Sequence, residues 1–256
     1  MRVVFFGDSL TEGTHGASYL AILRRKLAET PGAQEIDLIN AGVGGDTVEH
    51  LLARMATDVA PRDPDWVVVF VGTNDCTTWL ISRGVWRRLV FWRTRHYFSR
   101  EKGVSGAITP MRFEAGLRAL VAEMRQQTDA RIALCTAPPH GVDPRSPGWR
   151  LMARYADVVR RVAAEMDCDL IDLHRRWSAV VRVLPPQTPA QRWRAALGAL
   201  WGDGETDIET LACERGYILT FDGVHFSTQG ATLAAEVMRD WLATATVCAE
   251  TPPDLC

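Results

Sequence analysis

Residues 3–10 read VVFFGDSL and join an apolar run of strand length to a short polar block. Apolar runs of similar length recur along the chain, at residues 36–39, 66–71, 132–136 and 170–173. Stretches with the amphipathic spacing of helices alternate with them, at residues 18–29, 47–59, 111–127, 150–166 and 230–243. Because strands that are apolar throughout are typical of parallel sheets covered by helices on both faces, the sequence predicts an α/β fold with an open, doubly wound sheet.

Composition and length argue against several classes of protein. The chain has 256 residues, 47% of them apolar, which suits a soluble globular protein with a substantial core. Its net charge of −2 gives no general reason to expect nucleic acid or an anionic membrane as a partner. The longest apolar run, at residues 66–71, is far shorter than the ~20 residues that span a bilayer. We therefore expect no transmembrane segment and no nucleic-acid partner.

The cysteines and the N-terminus bear on cellular location. The six cysteines include no CxxC pair and no spacing typical of a disulfide framework, so we expect reduced thiols in a cytoplasmic protein. Met1 and Arg2 lead directly into the apolar run at residues 3–6, which is too short for the core of a secretory signal. A secreted protein whose signal has been removed is the alternative.

Four short polar blocks stand in a fixed order: GDSL at residues 7–10, GGDT at 44–47, GTND at 72–75 and DGVH at 222–225. Each of the first three follows a predicted strand, and the carboxyl ends of parallel strands lie at the sheet edge where ligands bind. The fourth precedes the last predicted helix and can fold back over that edge. Together the blocks supply a hydroxyl nucleophile, donors for an oxyanion and a carboxylate–imidazole pair, which acyl transfer needs.

These blocks resemble the diagnostic blocks of the GDSL, or SGNH, hydrolase family, and the likeness covers the chain apart from two insertions. The resemblance implies a flavodoxin-like three-layer α/β/α sandwich around a central parallel sheet of five strands. It places the nucleophile on Ser9 and the acid and base on Asp222 and His225. It places the oxyanion donors on the backbone N–H groups of Ser9 and Gly45 and on the side-chain amide of Asn74. It implies no cofactor and no metal.

The chemistry of these side chains agrees with those roles. A serine hydroxyl is a weak nucleophile until a base takes its proton, and a histidine near pH 7 is mostly neutral but readily protonated. Asp222 lies three residues before His225 and can hold the imidazole in one tautomer. Glycine at position 45 lets the backbone approach the reacting carbon, and the Asn74 amide is uncharged at every relevant pH.

Other polar residues near the blocks have simpler interpretations. We expect Asp46 to cap the helix that begins near Thr47, and Asp75 to fix its own loop. His140 follows the fourth predicted strand, so it either touches substrate or is an ordinary loop histidine. The remaining histidines show no spacing that suggests a zinc site.

Two insertions interrupt the alternation of strands and helices, at about residues 76–109 and 183–219. Residues 82–102 of the first hold seven Arg or Lys residues against one acid, with aromatic residues nearby, and the second holds an acidic run at residues 203–214. The basic insertion could cap the site, bind acyl chains, rest on anionic lipid or bind nucleic acid. It could also be an accessory helix whose arginines face the acidic run. Our hypothesis is that both insertions wall the pocket and set acyl-group selectivity.

We predict that residues 1–247 form one SGNH hydrolase domain and that residues 248–256 form a short tail. The predicted activity is hydrolysis of a carboxylic ester or thioester through an acyl-enzyme, as in esterases and lipases, with a small-molecule ester as substrate. Two alternatives stay open: an acyltransferase that uses the same site, and a binding protein that keeps the fold without turnover. The sequence defines neither the acyl group nor the oligomeric state.

Overall fold

The computed structural model describes residues 1–29, 36–83, 91–201 and 207–250. Within these ranges the strands are β1 (Arg2–Gly7), β2 (Asp37–Gly42), β3 (Trp66–Phe70), β4 (Arg131–Cys135) and β5 (Asp169–Ile171). They form one parallel sheet in the order β2-β1-β3-β4-β5, which confirms the predicted central parallel sheet of five strands. The fifth strand ends at Ile171 instead of residue 173, because Asp172 caps the helix that follows.

Helices cover both faces of this sheet. They are α1 (Ser9–Glu12), α2 (Tyr19–Ala28), α3 (Val48–Asp58), α4 (Thr73–Ser82), α5 (Trp92–His96), α6 (Pro110–Gln127), α7 (Pro147–Glu165), α8 (Leu173–Val181), α9 (Pro189–Trp201), α10 (Ile208–Arg215) and α11 (Thr228–Glu250). α11 packs against α2 and α8, while α6 and α7 pack together and against α3 and α4. These two helical groups and the sheet between them confirm the predicted three-layer α/β/α sandwich.

The central strands owe their positions to uninterrupted runs of buried side chains. Residues 3–6 of β1 and 66–70 of β3 are at most 2% exposed, and each large apolar side chain buried in this way contributes roughly 1.5–3 kcal/mol. Trp66 contacts Trp241 of α11 edge to face, with ring centroids 5.1 Å apart. In the other helical layer Phe113 packs on Tyr155 at 5.2 Å. Aromatic pairs therefore join α11 to the sheet and α6 to α7.

α7 begins earlier than its apolar spacing predicts. The periodicity starts at residue 150, whereas the helix starts at Pro147. The Ser146 hydroxyl accepts a hydrogen bond from the Trp149 N–H at 3.2 Å, and proline suits the first turn, where its missing N–H costs nothing. Capping chemistry, which apolar periodicity does not report, moves the start of the helix by three residues.

The predicted insertions and tail are partly described. The first insertion contains most of α4, then α5 and one π-helical turn at Tyr97–Glu101, and the second contains α9 and α10. Several residues of interest lie outside the described ranges, namely Trp86, Arg87, Arg88, Asp203 and Glu205. α11 continues to Glu250, so the predicted tail begins as helix, and residues 251–256 lie outside the described ranges. Among the described helices, none has both the length and the apolar character needed to cross a bilayer.

Candidate active site

Ser9 is the first residue of α1 and follows β1 after one intervening residue. That residue, Asp8, is the N-cap of the helix, and its Oδ1 accepts a hydrogen bond from the Leu10 N–H at 3.0 Å. Burial raises the pKa of the Asp8 carboxyl to about 7. The capped turn holds the Ser9 side chain at the carboxyl edge of the sheet.

The turn at residues 222–225 brings an imidazole and a carboxylate to this hydroxyl. Ser9 Oγ lies 3.1 Å from His225 Nε2, and His225 Nδ1 lies 2.6 Å from Asp222 Oδ2. The other oxygen of Asp222 accepts hydrogen bonds from the backbone N–H groups of Val224 and His225, at 2.8 and 2.7 Å. Asp222 therefore holds both the backbone of the turn and the imidazole.

The charges of Asp222 and His225 favour the carboxylate form of Asp222 and the imidazolium form of His225. For Asp222, burial acts to raise the pKa, but the hydrogen bonds and charge of His225 outweigh it and lower the pKa below its ordinary value. For His225, burial acts to lower the pKa, but the hydrogen bond and charge of Asp222 outweigh it and raise the pKa above 6.5. The imidazole can thus take up a proton from Ser9 more readily than an isolated histidine.

Two further rings hold the His225 imidazole in place. His15 stacks on it with ring centroids 5.6 Å apart and planes inclined by 29°, and Phe221 stacks at 6.0 Å and 25°. His15 is one of the histidines whose spacing suggests no zinc site, and Phe221 lies just outside the block at residues 222–225. Their proximity depends on how the loop after α1 meets the loop before α11, so no local spacing could have indicated it.

Gly45 and Asn74 line the same cavity as Ser9 and His225. Gly45 has φ of +77°, a conformation that favours glycine, and a Cβ atom at this position would lie 2.2 Å from the Tyr97 hydroxyl. The Asn74 Nδ2 donates a hydrogen bond to the backbone carbonyl of Asp46 at 2.8 Å. That bond orients the amide, which has a second N–H to donate. The structure thus brings all the predicted site residues to one cavity.

The prediction that Asp46 caps a helix is wrong. Thr47 is the N-cap of α3, in a capping box with the imidazole of His50. The Asp46 carboxylate instead accepts hydrogen bonds from Arg54 Nε and Lys102 Nζ, each at 2.7 Å. A carboxylate as buried as that of Asp46 needs cations beside it, because an unpaired buried charge is strongly destabilising.

Asp75 connects two helices by a hydrogen bond. Its Oδ1 accepts a hydrogen bond from the Val48 N–H, at the start of α3, at 3.1 Å. Asp75 thus joins α4 to α3, two helices that the sequence separates widely. Its side chain is fully buried, and burial raises its pKa to about 8.

Both insertions border the cavity around Ser9, which has a volume of about 470 Å³ and which we call the site cavity. Seven lining residues come from the first insertion: Thr77, Leu80, Ile81, Phe91, Thr94, Tyr97 and Phe98. Ala195 and Arg215 come from the second. This placement agrees with our hypothesis that the insertions wall the pocket. Within the described ranges, however, no ion pair joins the bases of residues 83–102 to the acids of residues 207–214.

His140 also lines the site cavity, near Asp222 and His225. Its Nε2 is buried and has no hydrogen-bond partner among the described residues. Burial lowers its pKa to about 4, so the imidazole is neutral near pH 7. The ring of His140 borders the cavity but its Nε2 is closed off from solvent, so both interpretations left open by the sequence stay open.

The described residues contain no group of three His, Cys, Asp or Glu side chains arranged to hold a metal ion. Cys76, Cys135, Cys168 and Cys213 are free thiols, and burial raises the pKa of Cys76 and Cys135 above the ordinary value. These two thiols are therefore protonated and unreactive near neutral pH.

The chain is similar in sequence to one protein family and to two known proteins. Residues 5–233 match the GDSL-like Lipase/Acylhydrolase family. An acetylxylan esterase of Geobacillus stearothermophilus is 28% identical over 199 residues, covering 72% of this chain and 81% of that protein. The uncharacterized lipoprotein YqeF of Bacillus subtilis strain 168 is 26% identical over 252 residues, covering 93% and 88%.

Solved structures agree with the fold and the family. The crystal structure of Axe2, an acetylxylan esterase from Geobacillus stearothermophilus, superposes with a TM-score of 0.66 and 25% identity, covering 93% of this chain and 92% of that one. The acetyl xylan esterase AlAXEase superposes with a TM-score of 0.64 and 25% identity, covering 94% and 98%. The chain therefore belongs to the GDSL-like lipase/acylhydrolase family and is a carboxylic ester hydrolase.

Proposed function

We propose that the protein cleaves carboxylic esters or thioesters through an acyl-enzyme formed on Ser9. The observation that carries this proposal is the hydrogen-bonded series from Ser9 Oγ to His225 and from His225 to Asp222, at 3.1 and 2.6 Å. Each distance is short enough for the proton transfer that activates a serine. The series also opens into a cavity large enough for a small ester.

In the proposed mechanism, His225 Nε2 takes the proton of the Ser9 hydroxyl as Oγ attacks the carbonyl carbon of the ester. The C=O electron pair moves to the oxygen and forms a tetrahedral oxyanion. When it collapses, the bond to the leaving oxygen or sulfur breaks, and the imidazolium gives its proton to the leaving group. A water molecule then gives a proton to His225 and attacks the carbonyl carbon of the acyl-enzyme. The bond from that carbon to Ser9 Oγ breaks, the imidazolium returns its proton to Oγ, and the carboxylic acid leaves.

The oxyanion donors in this proposal are the backbone N–H groups of Ser9 and Gly45 and the amide of Asn74. One N–H of the Asn74 amide donates to the Asp46 carbonyl, which leaves the second for the oxyanion. The left-handed conformation of Gly45 turns the backbone at the cavity wall without a side chain in the way. Donors held in place before the reaction stabilise the transition state more than the substrate.

The acetylxylan esterase of Geobacillus stearothermophilus supports these assignments. Its solved structures include catalytic mutants in which a serine, an aspartate or a histidine is replaced by alanine, and that aspartate and histidine are three residues apart. Asp222 and His225 have the same spacing. The activity that this relative is named for makes an acetyl ester on a carbohydrate one candidate substrate, and activity on esters of increasing acyl length decides between it and longer acyl groups.

A fluorophosphonate probe tests the nucleophile. We expect labelling of the native protein at Ser9 and turnover of p-nitrophenyl acetate or butyrate. Ser9→Ala should lose both and keep its unfolding midpoint, because a hydroxyl at the cavity wall contributes little to the core. Ser178→Ala removes a buried hydroxyl from α8, outside the site cavity, and should keep both labelling and turnover.

Two outcomes would decide for the alternatives. A native protein that is neither labelled nor active would favour the binding protein that keeps the fold without turnover. Transfer of the acyl group to an added alcohol in preference to water, seen by product analysis, would favour an acyltransferase on the same site. Turnover retained by Ser9→Ala would move the nucleophile to another residue.

We also propose that residues 1–247 form one domain and that the protein is cytoplasmic. A continuous core that includes both helical layers and the sheet supports the single domain. The free thiols support a reducing compartment, whereas the Bacillus subtilis relative is a lipoprotein by name, which points the other way. Cell fractionation of the natural host, with detection of the protein in the membrane or the medium, would overturn the cytoplasmic location.

A further inference from the structure

A second cavity adjoins the site cavity and shares two lining residues with it. It has a volume of about 320 Å³, and we call it the rear cavity. Two side chains, Ile81 and Phe98, line both cavities and therefore form the partition between them. Both are nearly buried, with 5% and 6% of their surfaces exposed. The other residues around the rear cavity are Thr78, Ser82, Arg95, Ser99, Val104, Gly106 and Ala107.

The chemistry of the proposed reaction fixes how an ester lies in the site cavity. The imidazolium of His225 must give its proton to the leaving group, so the alcohol or thiol part lies on the side of His225 and Val224. The carbonyl oxygen lies among the donors at Gly45 and Asn74. The third substituent of the carbonyl carbon, the acyl chain, then lies along one of two remaining walls. The wall of α4 and residues 91–98 is mainly apolar, whereas the other carries His140 and Arg215, so an acyl chain fits the first.

α4 provides a path from the oxyanion donors to the partition. Asn74, Thr77 and Ile81 are separated by three and four residues, so they share one face of the helix. At about 1.5 Å per residue, Ile81 lies about 10 Å along the helix axis from Asn74. Since C–C bonds are about 1.5 Å long and an extended chain advances about 1.3 Å per carbon, about eight carbons cover that distance.

The wall along this path is apolar. Leu80 and Ile81 of α4 and Phe91 beside α5 line it, and the rings of Tyr97 and Phe98 close it, with their centroids 5.3 Å apart. The Thr77 hydroxyl is occupied by a hydrogen bond to the Thr73 carbonyl at 2.9 Å. An alkyl chain is a more favourable occupant beside such a wall than water is.

The partition is held from behind as well. The carbonyl of Phe98 accepts a hydrogen bond from the Val104 N–H at 2.8 Å, and the Thr78 hydroxyl accepts one from the Ile108 N–H at 3.1 Å. These bonds connect the π-helical turn and α4 to the segment that leads into α6. The elements that carry the two partition side chains are thus fixed by hydrogen bonds to a neighbouring segment.

We propose that the path along α4 is the acyl subsite of this esterase, that it takes straight medium-chain acyl esters, and that Ile81 and Phe98 set the upper limit of chain length. The inference rests on the proposed function and specifies the substrate class of the same site. It makes the basic, aromatic insertion the specificity element of the enzyme. Removing either partition side chain joins the two cavities and lengthens the subsite.

The experiment is a series of p-nitrophenyl esters from acetyl to dodecanoyl, measured with native protein, Ile81→Ala and Phe98→Ala. We expect kcat/KM of the native protein to rise by up to about fourfold per methylene, to a maximum near octanoyl, and then to fall. Each partition variant should raise the ratio of dodecanoyl to butanoyl kcat/KM by about tenfold or more. Because the ratio is taken within one preparation, partial loss of folded protein does not affect it.

Leu80→Ala is the matched control, because Leu80 lines the site cavity but not the rear cavity. Its maximum should stay at the native chain length. A native protein that prefers acetyl and loses activity steadily with chain length would overturn the acyl subsite while leaving the serine esterase intact. A shift in Leu80→Ala equal to that of the partition variants would overturn the partition. Absence of both turnover and fluorophosphonate labelling would instead overturn the proposed function itself.

Discussion

The ammonium group of Lys102 lies 2.7 Å from a carboxylate oxygen of Asp46, and this ion pair connects the basic insertion to the loop that carries Gly45. Asp46 is nearly buried, and Arg54 binds its other oxygen at 2.7 Å. Lys102 is tied in turn to α3, because its carbonyl lies 2.7 Å from His50 Nε2. At least one base of the insertion, Lys102, is thus paired with an acid next to the proposed oxyanion donor Gly45.

Replacement of Lys102 by methionine should lower kcat/KM by about 10- to 100-fold. The change leaves Asp46 with one cation and frees the loop that positions Gly45, and small displacements of catalytic groups have effects of this size. Steady-state kinetics on a p-nitrophenyl ester measures it, and Lys102→Arg should recover most of the activity. Arg100→Met removes the same charge from an exposed residue of the same turn. Equal losses in Lys102→Met and Arg100→Met would mean that net charge, not the ion pair, is responsible.

Asn74→Ala should lower kcat by about 10²–10³-fold with little change in KM. An oxyanion donor acts mainly in the transition state, so its loss affects turnover more than binding of the ester. Thr77→Ala is the control, since Thr77 lines the cavity one turn farther along α4 and its hydroxyl bonds to backbone. A rise in KM at constant kcat for Asn74→Ala would assign the amide to substrate binding instead.

The pH dependence of activity should report His225. The imidazole must be neutral to act as base, so kcat/KM should rise with pH, and the midpoint of that rise should lie above 6.5 because Asp222 raises the pKa of His225. Asp222→Asn removes the charge that raises the pKa, so the midpoint should move to lower pH while the maximal rate falls by roughly 10⁴-fold. A midpoint that does not move in Asp222→Asn would show that another group titrates.

Stability should fall as pH rises from about 6.5 to 8. Below 6.5 the fall is offset, because burial lowers the pKa of His140 and of His174 to about 4 and these groups act in the opposite direction. Burial raises the pKa of Asp8 to about 7 and of Asp75 to about 8, so the folded state holds protons that the unfolded chain has released. Each such group lowers the free energy of unfolding by up to about 1.4 kcal/mol per pH unit while it stays protonated only in the folded state. Thermal unfolding across this range measures the slope.

Asp75→Asn should flatten that slope and raise the unfolding midpoint at pH 8. Asparagine keeps the acceptor for the Val48 N–H but never takes a charge in the buried site. Asp37→Asn changes an exposed carboxylate of β2 and should leave the slope as it is. If Asp75→Asn is less stable than the native protein at pH 8, the carboxyl has a partner that asparagine cannot replace.

Much of this fold was predictable because it follows local patterns. The apolar runs in β1 and β3 are unbroken, and the helices between strands have regular apolar spacing, so the parallel sheet and its two covering layers follow from general rules of α/β folds. The grouping of Ser9, Gly45 and Asn74 was predictable in the same way, since blocks that follow parallel strands share one edge. The block of His225 precedes the last helix and was expected to fold back over that edge. Helix ends were less predictable, because caps such as Ser146 act through single hydrogen bonds.

The role of Asp46 shows where sequence patterns stop. An acid just before a helix is a common cap, and nothing near it in the chain indicates that Lys102, 56 residues later, will bind it. The contact exists because the insertion folds back over the carboxyl edge of the sheet. The spacing of residues along the chain does not predict such a contact.

The sequence by itself determined the layer architecture and the residues that can carry acyl transfer, because alternating apolar runs select a covered parallel sheet and its strand ends gather at one edge. Only the tertiary structure decided that His15 and Phe221 stack on His225, and that Ile81 and Phe98 separate two cavities. The physical reason is that these contacts arise from how insertions and loops pack against the finished sheet. Packing of that kind depends on the shapes and volumes of side chains from distant segments, and no periodic pattern in the sequence predicts how these fit together.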